Sequence, residues 1–326
     1  MESIPVLGRA GEVAELHRAW GRIGTATTAG PVVATITGPA GIGKTRLVAA
    51  AVTGLSPAPA AVHVGAARLH SPAPYDWLAA ILTQCGGDEQ WEISVPADAL
   101  AWLRQDVGVT RERYAPEALL RIAVRVVRAL VGNRPAVLVV EDLHALDPAS
   151  LNLLAALATT PLPAMLLVTS RPSETPMVTA TLARLAGAPG AIRQHLGPLD
   201  RSDVAGALVA TYGDAARSAA DAVWQRTGGN PHELTELLAT TRDVEALRER
   251  PTELTAREID VLTCIADGMS NQQVASRLGI SIRTVTVHVS NLLRKTRCRS
   301  RTDAALWAVR HDYRSSRYNS ATTTSS

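Results

Sequence analysis

Lysine is almost missing from this chain. Of its 33 Lys and Arg residues, all are arginine except Lys44 and Lys295. A lysine kept in such a background suggests a place where a compact point charge on a flexible stem does what a planar guanidinium cannot. Cysteine is nearly as scarce: Cys85, Cys264 and Cys298 are odd in number and far apart, with no C-x-x-C pair. That argues against structural disulfides and zinc, and leaves Cys85 and Cys264 as small buried hydrophobes. No apolar run approaches the roughly 18 residues a membrane-spanning helix needs. The N-terminal MESIPVLGRAGE has neither a basic region nor an apolar core of the secretory type. A soluble cytoplasmic protein, with no membrane partner, is the expectation.

What is present supports two or three domains: 326 residues with 46% hydrophobic content are enough for ordinary cores. The formal net charge of +3 is unevenly spread, because residues 277–326 hold ten Lys and Arg against Asp303 and Asp312 alone. A basic end on a mildly acidic body points to a polyanion partner at that end.

The chain is organised around GPAGIGKT at 38–45, which follows the β-branched run VVATIT. This is a strand entering a glycine-rich turn and then a helix from about Lys44. Gly38, Gly41 and Gly43 are the glycines of the turn. Gly41 and Gly43 let the backbone wrap closely enough for its N–H groups to face phosphate, and the new helix N-terminus adds partial positive charge. Lys44 is placed to reach the β- and γ-phosphates, and the Thr45 hydroxyl to ligate Mg²⁺. A ligand-free glycine turn is the weaker alternative, given the strand and helix that flank it.

Apolar residues 13, 16 and 20 predict an N-terminal helix. Strands are expected at 61–67, in the run 136–147, at 164–171 and at 191–196, and helices at 75–85, 96–105 and 116–131. The run AVLVVEDLHALD ends in Glu141 and Asp142, where a parallel strand buried on both faces would present carboxylates to a ligand. Both are candidates to hold Mg²⁺ and polarise an attacking water. Thr169, Ser170 and Arg171, at the end of the next strand, could sense a γ-phosphate. Alternating strands and helices over 30–196 imply an α/β domain with a parallel sheet and helices on both faces. Residues 201–250 read as helical, broken at TGGNP (227–231), and suit a lid over the nucleotide.

Five pieces, LGR (7–9), GPAGIGKT, VVEDLHALD (139–147), VTSRP (168–172) and GGNP (228–231), resemble the STAND class of P-loop ATPases, in the branch fused to LuxR-type regulators. The resemblance implies ATP with Mg²⁺ as cofactors. It also implies that Gly8, Arg9, Asn230 and Pro231 approach the base or ribose. Ala145 departs from the pattern, where relatives often carry Trp.

Residues 254–309 read as four short helices, with capping boxes at Thr255/Glu258 and Ser270/Gln273 and with Ser281 and Ser300 as further caps. A turn at 278–280 followed by a basic helix makes a helix-turn-helix. If Val285, Val289 and Leu292 face the core, the opposite face carries Arg283, Val287, Ser290 and Arg294, flanked by Thr284, Thr286 and Asn291. Arg283, Arg294 and Lys295 suit phosphates, while Thr286, Val287 and Ser290 suit base edges. The segment closely resembles the LuxR-type DNA-binding domain. That resemblance implies double-stranded DNA and RNA polymerase as partners, and a homodimer or larger homo-oligomer using Leu306, Trp307 and Val309.

The expected boundaries are 1–200 for the P-loop NTPase domain, 201–250 for the helical lid, 251–314 for the all-α helix-turn-helix domain and 315–326 for a disordered tail. Two functions fit: a regulator whose nucleotide state, with or without slow ATP hydrolysis, controls operator binding, or an ATPase motor or loader that uses the helix-turn-helix as a non-specific clamp.

Overall fold

The computed structural model describes residues 7–23, 30–67, 73–85, 95–106, 114–241, 247, 254–296, 298 and 300–310. The tail predicted at 315–326 lies outside them. The chain forms two compact units, Met1–Ala220 with Thr227–Thr240, and Asp221–Arg226 with Thr241–Ser326.

In the first unit, five parallel strands lie in the order β2-β3-β4-β1-β5. They are β1 (Val32–Thr37), β2 (Ala61–Ala66), β3 (Ala136–Glu141), β4 (Ala164–Ser170) and β5 (Ile192–His195). The central strands are continuous apolar runs because both faces of the sheet are covered. Successive side chains point to opposite faces. In β3, Ala136, Leu138 and Val140 join one core, and Val137 and Val139 join the other. In β4, Leu166 and Val168 pack on the first face, Met165 and Leu167 on the second.

Helices α1 (Ala10–Trp20) and α2 (Lys44–Thr53) cover one face through Leu16, Trp20, Leu47 and Val48. On the other face lie α3 (Asp76–Gln84), α4 (Ala97–Arg104), α5 (Pro116–Val131), α6 (Pro148–Leu157) and α7 (Pro176–Ala186). The predicted stripe of α5 is what packs: Leu119, Ile122 and Val126 are buried and Leu130 partly so.

Beyond the sheet come α8 (Arg201–Tyr212), a 3₁₀ turn at Asp214–Ala219, α9 (Ala220–Thr227) and α10 (Pro231–Thr240). The helical reading of 201–250 holds over the described part; residues 242–246 and 248–250 are outside it.

The second unit contains α11 (Ala256–Ala266), α12 (Asn271–Leu278), α13 (Ile282–Thr296) and α14 (Arg301–Arg310). Both predicted capping boxes form. Ser281 Oγ accepts from the Thr284 N–H at 3.0 Å and Ser300 Oγ from the Asp303 N–H at 3.1 Å, so all four helices start on a side-chain cap. Val261, Leu262, Ile265, Val274, Val285 and Leu292 make the small core. Among the described residues, no helix is long and apolar enough to cross a membrane, and the three cysteines are free thiols.

Candidate nucleotide cavity and nucleic-acid interface

The parallel sheet brings the C-terminal ends of β1, β3 and β4 to one edge, where α/β sheets bind ligands. A cavity of about 520 Å³ opens there. Its lining includes Ala40 to Arg46 of the loop with Asp142 and Arg171, and the apolar residues Leu7, Leu199, Pro231, Leu234 and Leu238.

The loop has the backbone its sequence demands: Gly41 has φ +74° and Gly43, just before α2, has φ +95°, conformations that a side chain would strain. Lys44 is buried, and its Nζ donates to the Gly38 carbonyl at 2.9 Å and the Pro39 carbonyl at 2.8 Å. Burial lowers its pKa, Asp142 opposes that and Arg171 adds to it. Four cations, Arg9, Lys44, Arg46 and Arg171, thus line the cavity with a single carboxylate, Asp142, an arrangement that favours an anion.

Asp142 adopts a left-handed conformation at φ 51°, and its N–H donates to Thr169 Oγ1 at 3.1 Å. Glu141 lies at the end of β3 but does not line the cavity. Burial, and then the charge of Asp142, raise its pKa. At the end of β4, Thr169 and Ser170 are buried, and Arg171 just after it is the one of the three that lines the cavity.

His144 was not singled out from the sequence. Its Nδ1 accepts from the Arg171 N–H at 3.2 Å and lies 3.8 Å from Asp142 Oδ1, so the imidazole ties the turn after β3 to the end of β4. Burial lowers its pKa and Asp142 raises it, while Arg171 and Lys44 add to the lowering. Only the tertiary pairing shows this role. The Asp147 that closes VVEDLHALD is an internal cap: it accepts from the N–H groups of Ser150 (2.9 Å), Tyr75 (3.0 Å) and Asp76 (3.1 Å). Ala145 is exposed, and the Asp142 geometry stands without a larger side chain there.

The positions assigned to the base or ribose divide. Arg9 and Pro231 line the cavity; the Arg9 guanidinium donates to the Gly197 carbonyl and, at 3.2 Å, to Glu12. Gly8 packs on the first turn of α8, where an added Cβ would lie 2.3 Å from Asp203 Oδ2. Asn230 bonds to the loop, with its Nδ2 donating to the Ala40 carbonyl at 3.2 Å. Gly8 is thus seated on α8 and Asn230 on the phosphate loop.

In the second unit, Arg283, Thr284, Thr286, Val287 and Ser290 lie exposed on α13, while Val285 and Leu292 are buried. Val287 is 52% exposed and so is Leu306, and Ile282, which the sequence reading passed over, is 51%. Asn291 and Arg294 are half-buried and paired: Arg294 Nη2 donates to Asn291 Oδ1 at 3.2 Å and Nη1 to the Gln225 carbonyl at 3.1 Å. Lys295 has a partner within the domain. Its Nζ donates to Glu258 Oε2 at 2.6 Å, against a carboxylate that also accepts from the Thr255 N–H at 2.7 Å. The pair ties the start of α11 to the end of α13. Trp307 packs partly on the small core, leaving Leu306 and Val309 as the exposed apolar residues of α14.

Fold and site define a P-loop nucleotide-binding α/β unit followed by a helix-turn-helix unit. Residues 5–168 match the family model of the AAA ATPase domain, and residues 252–308 that of bacterial regulatory proteins, luxR family. The first match takes in half of the chain, so the protein belongs to the AAA ATPase domain family, and its C-terminal helices form a luxR-family domain.

The chain is 49% identical over 82 residues to the uncharacterized transcriptional regulatory protein YhcZ of Bacillus subtilis, covering 25% of this chain and 37% of that one. It is 40% identical over 98 residues to the response regulator protein VraR of Staphylococcus aureus, covering 30% and 47%. It thus spans less than half the length of these relatives. Among solved structures, the Aeropyrum pernix ORC2 protein in its ADPNP-ADP complexes aligns with a TM-score of 0.50 at 14% identity, over 88% of this chain and 86% of that one. A RuvB variant of Thermotoga maritima aligns at 0.52 and 15%, over 90% and 91%. At such identities the likeness is one of fold.

Proposed function

We propose that this chain is a transcription regulator that binds double-stranded DNA through α13, and in which the nucleotide state of the first unit controls that binding. The observation that carries the reading is the exposed, mixed polar and apolar face of α13, with Arg283, Thr286, Val287 and Ser290 together. Arginine suits phosphates, while hydroxyls and a valine suit base edges and thymine methyls. A homodimer or larger assembly through Leu306 and Val309 would place two such helices on one duplex, and RNA polymerase is the partner through which binding would act on transcription.

ATP fits the cavity of the first unit. Lys44 and Arg171 suit the phosphates, and the Thr45 hydroxyl and Asp142 carboxylate are the hard oxygen donors that Mg²⁺ takes alongside phosphate oxygens. The apolar residues of the lining suit a base. ATP with Mg²⁺ would supply a transferable phosphoryl group; the chain's residues bind it, orient it and, through Asp142, can hold a water.

The test is selection of DNA sites from a random pool by the full chain, with and without ATP and Mg²⁺. A strong consensus whose recovery changes with nucleotide supports the regulator. Unselective DNA binding with fast ATP turnover sinks it and favours a motor or loader with a non-specific clamp.

A further inference from the structure

The lid touches the phosphate loop directly. Asn230 Oδ1 accepts from the His232 N–H at 2.9 Å, which caps α10, and Asn230 Nδ2 donates to the Ala40 carbonyl at 3.2 Å. The His232 N–H also reaches the Gly41 carbonyl at 3.2 Å. The approach is close: a Cβ on Gly41 would lie 2.9 Å from both Asn230 Oδ1 and His232 Cβ. Gly41 is therefore small for the sake of the lid as well as for its own φ. The lid is anchored in turn, since the Leu199 N–H donates to the Gly229 carbonyl at 2.8 Å.

The geometry of the peptide unit turns these contacts into a statement about phosphate. A trans peptide is planar, with its C=O and N–H pointing in opposite directions. Holding the carbonyls of Ala40 and Gly41 from the lid side therefore aims the N–H groups of Gly41 and Ile42 the other way. With Lys44 on the carbonyls of Gly38 and Pro39, four consecutive carbonyls of the loop have a partner.

We infer that Asn230 is a positioning residue: it caps the lid helix with one end of its amide and sets the phosphate loop with the other, without touching base or ribose. Lid closure and phosphate binding are then one linked equilibrium. This rests on the cavity binding a nucleotide.

The test uses the full chain with Asn230→Asp and Asn230→Ser. Both substitutes are good helix caps, but neither can donate to the Ala40 carbonyl as the amide does, and the aspartate would also repel it. The probes are ATP, GTP and inorganic tripolyphosphate, each with Mg²⁺, read by affinity and by the melting midpoint without ligand. The expected result is an unliganded midpoint close to wild type and a loss of affinity, roughly fivefold in Asn230→Ser and tenfold or more in Asn230→Asp, shared by all three probes.

A loss confined to ATP and GTP, with tripolyphosphate unaffected, would make Asn230 a base or ribose contact and overturn the inference. Unchanged affinities would overturn it as well, and so would a lowered unliganded midpoint that accounts for the loss. If wild-type protein bound none of the probes, the nucleotide reading itself would fail, and the inference with it.

Discussion

The two lysines of the chain share a property that their surroundings impose: each ammonium is drawn inside the protein onto oxygen atoms. Lys44 sits on two loop carbonyls and Lys295 on Glu258. A flexible stem ending in a compact charge suits both places, so the scarcity of lysine marked two sites, and only one of them faces a ligand cavity. Burial pushes the Glu258 carboxyl up, but Lys295 and the Thr255 N–H outweigh it and hold the group below the usual range. A carboxylate depressed in the folded state stabilises above its unfolded pKa, and that stability is lost as pH falls through the folded value. The second unit should therefore lose stability on acidification from about pH 4.5 downward. Glu258→Gln should destabilise it by about 3 kcal/mol at neutral pH, because a largely buried ammonium loses its partner, and should flatten the acid dependence. Urea unfolding at pH 7 and pH 4 measures both, and a neutral-pH cost below about 1 kcal/mol would leave Lys295 free for phosphate after all.

The two carboxylates at the end of β3 and just after it also separate at this scale. Asp142 lines the cavity and Glu141 does not. If ATP is hydrolysed, Asp142→Asn should keep nucleotide affinity while slowing turnover about 100-fold or more, and Glu141→Gln should slow it less. Steady-state turnover beside a binding titration distinguishes them, and equal effects would place both groups at the metal and water. The sequence could not separate these neighbours, because the left-handed backbone of Asp142 and its bond to Thr169 arise from a strand 27 residues further on.

At the scale of elements, what local chemistry dictates was legible. The Thr255, Ser270, Ser281 and Ser300 caps, the stripe of α5 and the β-branched runs each depend on residues within a turn or a strand of one another. What was not legible is pairing across the chain: Lys295 with Glu258, 37 residues apart, His144 with Arg171, and Asn230 with Ala40, 190 residues apart. The alternation of strands and helices over 30–196 implied helices on both faces, but the order β2-β3-β4-β1-β5 depends on crossovers that periodicity does not encode.

The prediction that belongs to this scale concerns α13. Arg283→Ala should weaken binding to all DNA and lower the salt slope by about one. Thr286→Ala and Ser290→Ala should leave the slope nearly alone and cost roughly 1 kcal/mol or more at a contacted base pair. Affinity against salt on selected and scrambled DNA is the measurement. Equal losses on both DNAs in the uncharged variants would remove α13 as the reading element.

For the whole molecule, the decisive feature is that the two chemistries occupy separate compact units. Every residue lining the cavity belongs to the first unit, whereas the face proposed to read DNA is on α13 in the second. Any influence of nucleotide on DNA binding must therefore be a coupling free energy between two sites, and it must act reciprocally. Lys44→Ala separates the terms. The loop loses its buried cation, so ATP affinity should fall at least 100-fold, a loss of about 3 kcal/mol typical of a charged hydrogen bond to phosphate. Affinity for the selected DNA without nucleotide should stay within about twofold of wild type, because Lys44 and α13 belong to separate compact units. Only the shift caused by adding ATP and Mg²⁺ should vanish, and selected DNA should no longer alter what remains of the nucleotide affinity. Titrating each ligand in the presence and absence of the other gives all four affinities. A Lys44→Ala chain that still tightened or loosened on DNA with ATP would show that the nucleotide acts somewhere other than this loop.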